Sequence, residues 1–182
     1  MTHLVGLCGA LRKASTNHKL MLEAARLFAP TRFSEGDLDL PLYNGDLEDQ
    51  GMPEKVRALT ALIREADAVI IACPEYNKAP PGGLKNALDW VSRDKVNPWK
   101  DKPVAIISAA GGRGGGDRAQ FALRLMLTPF QPRILAGPEV QVADSGNAFD
   151  ENGVLKDPRY QKTLDGLMAG LKLEIARSAV QP

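Results

Sequence analysis

The chain has 182 residues, enough to bury a core of its own and few enough to form one domain. Its 23 basic and 22 acidic side chains leave a formal net charge of +1, so charge gives no reason to expect nucleic acid or an anionic membrane as partner. No apolar stretch reaches the roughly 18 residues of a membrane-spanning helix, and Met1–Gly6 lacks the ordered parts of a signal peptide; a cytoplasmic protein is the expectation.

The first expected strand is His3 to Gly9, a short apolar run ending in glycine. A helix follows from about Ser15 to Asn17 onward, with Leu20, Ala24, Leu27 and Phe28 at helical spacing until Pro30 stops it. Arg32 to Leu38 is a weakly patterned second strand, and Leu40 to Asp46 is rich in turn residues. Pro53 opens a second helix with Val56, Leu59, Ile63 and Ala66 on one face. Ala68 to Cys73 is a continuous apolar run without alternation, as a parallel strand covered on both faces requires.

Leu84, Ala87, Leu88 and Val91 mark a third helix after Pro80–Gly83, and Val104 to Ala110 repeats the buried-strand pattern. A fourth helix runs to about Leu127, where Pro129 and Pro132 end it. A fifth strand is expected between Arg133 and Val142, then an exposed loop from Asp144 to Pro158 with room for a small hairpin. Leu164, Leu167, Met168, Leu171 and Ile175 pattern the last helix. Strand and helix alternate throughout, which argues for a parallel sheet with helices on both faces and a ligand at the carboxyl ends of its strands.

Three loops fall at that end. After strand one, Arg12, Ser15, Thr16 and Asn17 stand at the start of a helix, where free N–H groups and the positive dipole end suit a phosphate. Taken alone, the loop fits a plain helix cap equally well. After strand three, Pro74, Glu75, Tyr76 and Asn77 lead into a proline-stiffened segment; Tyr76 offers a face or edge to a planar ring, or simply packs. After strand four, Ser108 precedes a run in which Gly111 and Gly112 let the backbone approach a ligand closely.

Gly6 and Gly9 do not form G-x-G-x-x-G, and the later glycine run lacks the Lys-Ser/Thr of a P-loop, so a mononucleotide is favoured over a dinucleotide or ATP. Cys8 and Cys73 are expected buried and reduced, being too far apart for a CxxC motif. His3 and His18 lack metal-binding partners, and no metal site is expected.

These residues resemble the NADPH-dependent FMN reductase family, which includes quinone- and chromate-reducing flavoproteins. Gly9 to Asn17 follow its G-S-L-R-K-x-S-x-N, with Ala10 in place of the serine. Pro74–Asn77 match P-E-Y-N and Pro81–Trp90 match P-G-x-L-K-N-A-x-D-W, while Ser108, Gly111, Gly114 and Gly115 match S-x-x-G-x-x-G-G. The resemblance implies a flavodoxin-like three-layer α/β sandwich, with a five-stranded parallel sheet in the order 2-1-3-4-5, as a single domain over residues 1–182.

It further implies bound FMN, with Arg12, Ser15 and Asn17 on the phosphate. Pro74, Glu75, Tyr76 and Asn77 would lie along the isoalloxazine, and Ser108, Gly111 and Gly112 at its other border. NADPH or NADH would deliver hydride to flavin N5, and quinones, free flavin or chromate would then take the electrons in ping-pong fashion. The chemistry sits on the flavin, so no side chain is assigned as catalytic. Arg113 and Arg118 read equally as contacts for a nicotinamide phosphate or as solvated arginines. A homodimer or tetramer is implied, and Ala10 implies weaker FMN binding through a lost hydroxyl. The alternative is a non-enzymatic flavodoxin-like carrier or redox-sensing interaction protein, against which the near-neutral charge argues.

Overall fold

A computed structural model describes residues 1–178 of the chain. Strands β1 (His3–Cys8), β2 (Arg32–Gly36), β3 (Ala68–Ala72), β4 (Pro103–Ala109), β5 (Arg133–Ile134) and β6 (Val140–Val142) form one parallel sheet in the order β2-β1-β3-β4-β5, with β6 also on β4. The expected strand order and parallel sense are both present. Helices α1 (Thr16–Phe28) and α6 (Pro158–Ser178) cover one face. Helices α3 (Glu54–Glu65), α4 (Gly82–Val91) and α5 (Asp117–Leu127) cover the other.

The central strands divide their side chains by size. On β3, Ala68, Ile70 and Ala72 face α1 and α6, whereas Val69 and Ile71 face α3 to α5. On β4, Ala105, Ile107 and Ala109 repeat the first set and Val104 and Ile106 the second. Alanines under α1 let its bulky Met21 and Phe28 lie close to the sheet. Each fully buried leucine or isoleucine contributes about 1.5–3 kcal/mol relative to exposure, and both faces are lined with them.

Three segments depart from the sequence reading. The expected fifth strand is two stubs at different heights on β4, interrupted by residues 135–139, where Pro138 has no N–H to give a ladder. The turn-rich segment contains a short helix, α2 (Gly45–Asp49), whose first turn is capped by Asn44 Oδ1 accepting from the Asp46 N–H. The loop from Asp144 to Pro158 is not wholly exposed. It holds the small hairpin that the sequence leaves room for, bridging Phe149 to Leu155, and Leu155 is buried in the core on the face covered by α1 and α6.

The D-W stretch acts on the segment before α2. Trp90 Nε1 and Asn86 Nδ2 both donate to the Pro41 carbonyl, at 2.8 and 2.9 Å, and Asn86 Oδ1 accepts from the Tyr43 N–H at 2.8 Å. Arg93 then pairs with Glu48, which also accepts from the Tyr43 hydroxyl. These contacts bind residues 41–48 to α4.

Candidate functional site

Where the strand order reverses, between β1 and β3, the chain leaves a cleft at the carboxyl ends of the strands. It is about 180 Å³ and is lined by Arg12, Ser15, Thr16, Asn17, Pro74, Glu75, Tyr76, Ala109, Ala110, Gly111 and Ser145. All three loops singled out by sequence reach it. Larger depressions elsewhere lack this convergence; one lies between β5 and the end of α6.

One wall is the start of α1. Ser15, almost fully buried, caps the helix by accepting from the Asn17 N–H at 3.2 Å, and the first intrahelical bond runs from Lys19 N–H to the Ser15 carbonyl. The Thr16 and His18 N–H groups therefore have no partner within the helix and carry its positive dipole end. Arg12 is exposed and forms no ion pair among the described residues, so its guanidinium is available to an anion. Asn17 lines the cleft, but its carboxamide is engaged: Nδ2 donates to the Ala109 carbonyl at 2.7 Å and Oδ1 accepts from the Ala109 N–H at 2.9 Å. It ties α1 to the end of β4.

The second wall follows β3. Tyr76 is half exposed and stands at one end of a two-residue hairpin turn, its N–H and carbonyl both bonded to Ala79 at 2.9 and 3.1 Å. Asn77 and Lys78 between them have φ of 51° and 67°, the left-handed pair such a turn demands. Asn77 is exposed and does not line the cleft. Glu75 Oε2 accepts from the Ala119 N–H at 3.1 Å, so this carboxylate caps the first turn of α5.

The third wall follows β4, and its glycines do two different things. A Cβ on Gly115 would meet the Gln141 backbone at 2.5 Å, and one on Gly116 would meet Ser108 at 2.8 Å; both have positive φ. Those two are demanded by packing. Around Gly111 and Gly112 a Cβ would meet nothing, so their lack of a side chain leaves open space beside the cleft. Ser108 is fully buried behind this loop, donating to the Gly115 carbonyl at 2.6 Å and accepting from Gln120 Nε2 at 2.8 Å. Gln120 also donates to the Val140 carbonyl, fastening the loop to β6. Gly112 and Ser108 do not line the cleft; Gly111 does.

Ala109, Ala110 and Ser145 line the cleft without having been singled out by sequence. Ser145 comes from the loop after β6, distant in the chain and marked only by its turn-like surroundings. Ala10 is buried and lines a neighbouring depression with Cys8, His18 and Glu35 rather than this cleft. Cys8 and Cys73 are free thiols. Burial pushes Cys8 upward and Cys73 up to about 12, the latter aided by the nearby Glu75 charge. Among the described residues no cluster of histidine, cysteine and carboxylate side chains could hold a metal ion.

A flavodoxin-like sheet with a donor-lined cleft at its switch point defines a mononucleotide-binding class of α/β domain. Within that class the chain belongs to the NADPH-dependent FMN reductase family, whose model matches residues 2–147. It is 39% identical over 176 residues to an NAD(P)H-dependent FMN reductase from Pseudomonas aeruginosa, covering 96% of this chain and 95% of that protein. It is 38% identical over 174 residues to a quinone reductase from Escherichia coli K12, covering 92% and 90%. The structure of FerB, a flavoenzyme NAD(P)H:(acceptor) oxidoreductase from Paracoccus denitrificans, superposes with a TM-score of 0.88 at 34% identity, covering 97% of this chain and 98% of that one.

Proposed function

We propose that the chain binds FMN at this cleft and catalyses electron transfer from NADPH or NADH to a small acceptor, quinones first among them. The observation that carries the reading is the convergence of the three family motifs on one cleft whose near wall offers Arg12 and the first N–H groups of α1 and whose far wall begins with a side-chain-free Gly111. Its relatives' names, FMN reductase and quinone reductase, support the same chemistry and acceptor class.

In this reading Arg12 supplies charge and a planar fork to the phosphate, while Ser15 and Thr16 and the first N–H groups of α1 supply neutral donors. Asn17 contributes by holding α1 against β4. Pro74 to Tyr76 form one border of the ring site, with Tyr76 as its apolar face and Asn77 in the turn behind it, and Gly111 admits the ring from the other side, with Gly112 leaving open space beside it. Ser108 acts from behind by fixing the Gly115 carbonyl. Bound FMN supplies reversible two-electron chemistry at its N5; the protein supplies position and an open face for the nicotinamide. Water delivers the protons.

The same reading includes a homodimer or tetramer and a cytoplasmic location; among the described residues no helix is long and apolar enough to cross a membrane. The test is steady-state oxidation of NADPH and NADH by FMN-loaded protein at several quinone concentrations. Parallel double-reciprocal lines are expected, because one substrate must leave before the other binds. Absence of nicotinamide oxidation with every acceptor refutes the enzymatic reading.

A further inference from the structure

We propose that Ser145, from the loop after β6, is a fourth-loop ligand of the flavin phosphate and helps this chain prefer FMN to riboflavin. The inference rests on the FMN reading above.

Ser145 is 7% exposed, yet it lines the cleft together with Arg12, Ser15 and Thr16. Its place is fixed from both sides. The Ser145 N–H donates to the Ala110 carbonyl at 3.1 Å, which pins the loop to the end of β4. Before it, Asp144 sits at φ 45°; the Asp144 carbonyl accepts from the Asn147 N–H at 2.9 Å and its carboxylate accepts from Asn147 Nδ2 at 3.2 and 3.3 Å. A serine on so constrained a turn has little rotational freedom to lose on binding a ligand.

The hydroxyl itself has a proton to give. Thr16 Oγ1 donates to Ser145 Oγ at 3.2 Å. Two hydroxyls carry two protons, and their mutual bond uses only one, whichever way it points. The other O–H has no acceptor among the described residues. The bridge between the two loops therefore leaves one O–H to spare, on residues that line the cleft, for an acceptor that arrives there.

The chemistry of the acceptor follows from its neighbours. Arg12 brings a guanidinium fork, Thr16 and His18 bring free N–H groups at a dipole end, and the Ala109 carbonyl is already taken by Asn17. Donors thus converge at this end of the cleft, where the Ala109 and Ala110 carbonyls already accept from Asn17 and Ser145, and they favour a group made only of acceptors and carrying negative charge. A phosphate monoester is such a group; the terminal hydroxyl of riboflavin is not. Ser145 comes from a loop 129 residues along the chain from Thr16 and meets the start of α1 at that hydroxyl, adding a fourth loop to the cradle.

The experiment compares FMN, riboflavin and inorganic phosphate as ligands of the apoprotein. Flavin fluorescence quenching gives the two flavin affinities, and phosphate competition against FMN isolates the anionic end. For Ser145→Ala we expect the Kd for FMN to rise about tenfold, the value for one hydrogen bond to a charged group, with phosphate competition weakened in parallel and riboflavin affinity unchanged. Thr16→Ser, which keeps the hydroxyl, is expected to bind FMN as the unaltered chain does. A Ser145→Ala protein whose thermal melt matches the parent but which loses FMN and riboflavin equally, or neither, overturns the assignment. If the unaltered chain binds neither flavin, the FMN reading itself falls, and Ser145 with it.

Discussion

Cys73 ends the third apolar run and sits directly before Pro74, at the edge of the cleft, where a reactive thiol would be conspicuous. Its environment makes it unreactive. The side chain is fully buried on the α3–α5 face, and burial together with the Glu75 charge pushes its pKa up to about 12. A raised thiol pKa means the neutral form persists through the whole physiological range, since the thiolate grows only as pH approaches that value. At pH 8 we therefore expect iodoacetamide to leave Cys73 of the folded protein unmodified, with alkylation appearing on addition of denaturant. Modification at the rate of an unfolded cysteine would contradict this. At the same scale, Glu75 and Asn17 each carry a structural role that the sequence does not display. Both line the cleft, but Glu75 also caps α5 and Asn17 also binds the backbone of Ala109. Neither partner is near in the chain, so nothing local announces the role.

Helix ends show how local chemistry sets the elements. α1 starts at a Ser15 cap and stops where Ala29 adopts φ 49°, its N–H donating to the Ala25 carbonyl at 2.9 Å, just ahead of Pro30. An alanine in that left-handed position carries a steric cost that glycine does not. Ala29 is exposed and makes no core contact, so Ala29→Gly is expected to raise unfolding stability by about 0.5–1 kcal/mol in urea melts. A destabilised variant would mean that the left-handed cap is absent in solution. Elements with strong internal signals were legible: the unalternating runs at β3 and β4 are apolar because both faces are covered, and Pro30, Pro53 and Pro129 punctuate the helices near them. Elements made by distant contacts were not. α2 exists on a segment held by Asn86, Trp90 and Arg93 of the α4 region, and the D-W pair reads as a family motif without revealing that it grips Pro41. The fifth strand is divided because each stub pairs with a different stretch of β4, a matter of register that a single sequence does not display.

For the molecule as a whole, the sheet order places the loops after β1, β3 and β4 on one rim, and the loop after β6 joins them through Ser145. The parallel sense of the sheet and the gathering of loops at its carboxyl rim were legible because alternation of elements dictates them together, while the strand order was legible only through the family resemblance. The division of labour among the glycines was not, since Gly115 and Gly116 are required by packing and Gly111 and Gly112 are left open by it. The central claim is that this rim holds FMN for reduction by a nicotinamide. Its most direct test is the visible absorption spectrum of protein incubated with FMN, desalted, and then mixed anaerobically with NADPH or NADH. We expect a protein-bound flavin spectrum that bleaches on addition of at least one of them. Flavin that is lost on desalting, or that is retained but stays oxidised with both, would contradict it.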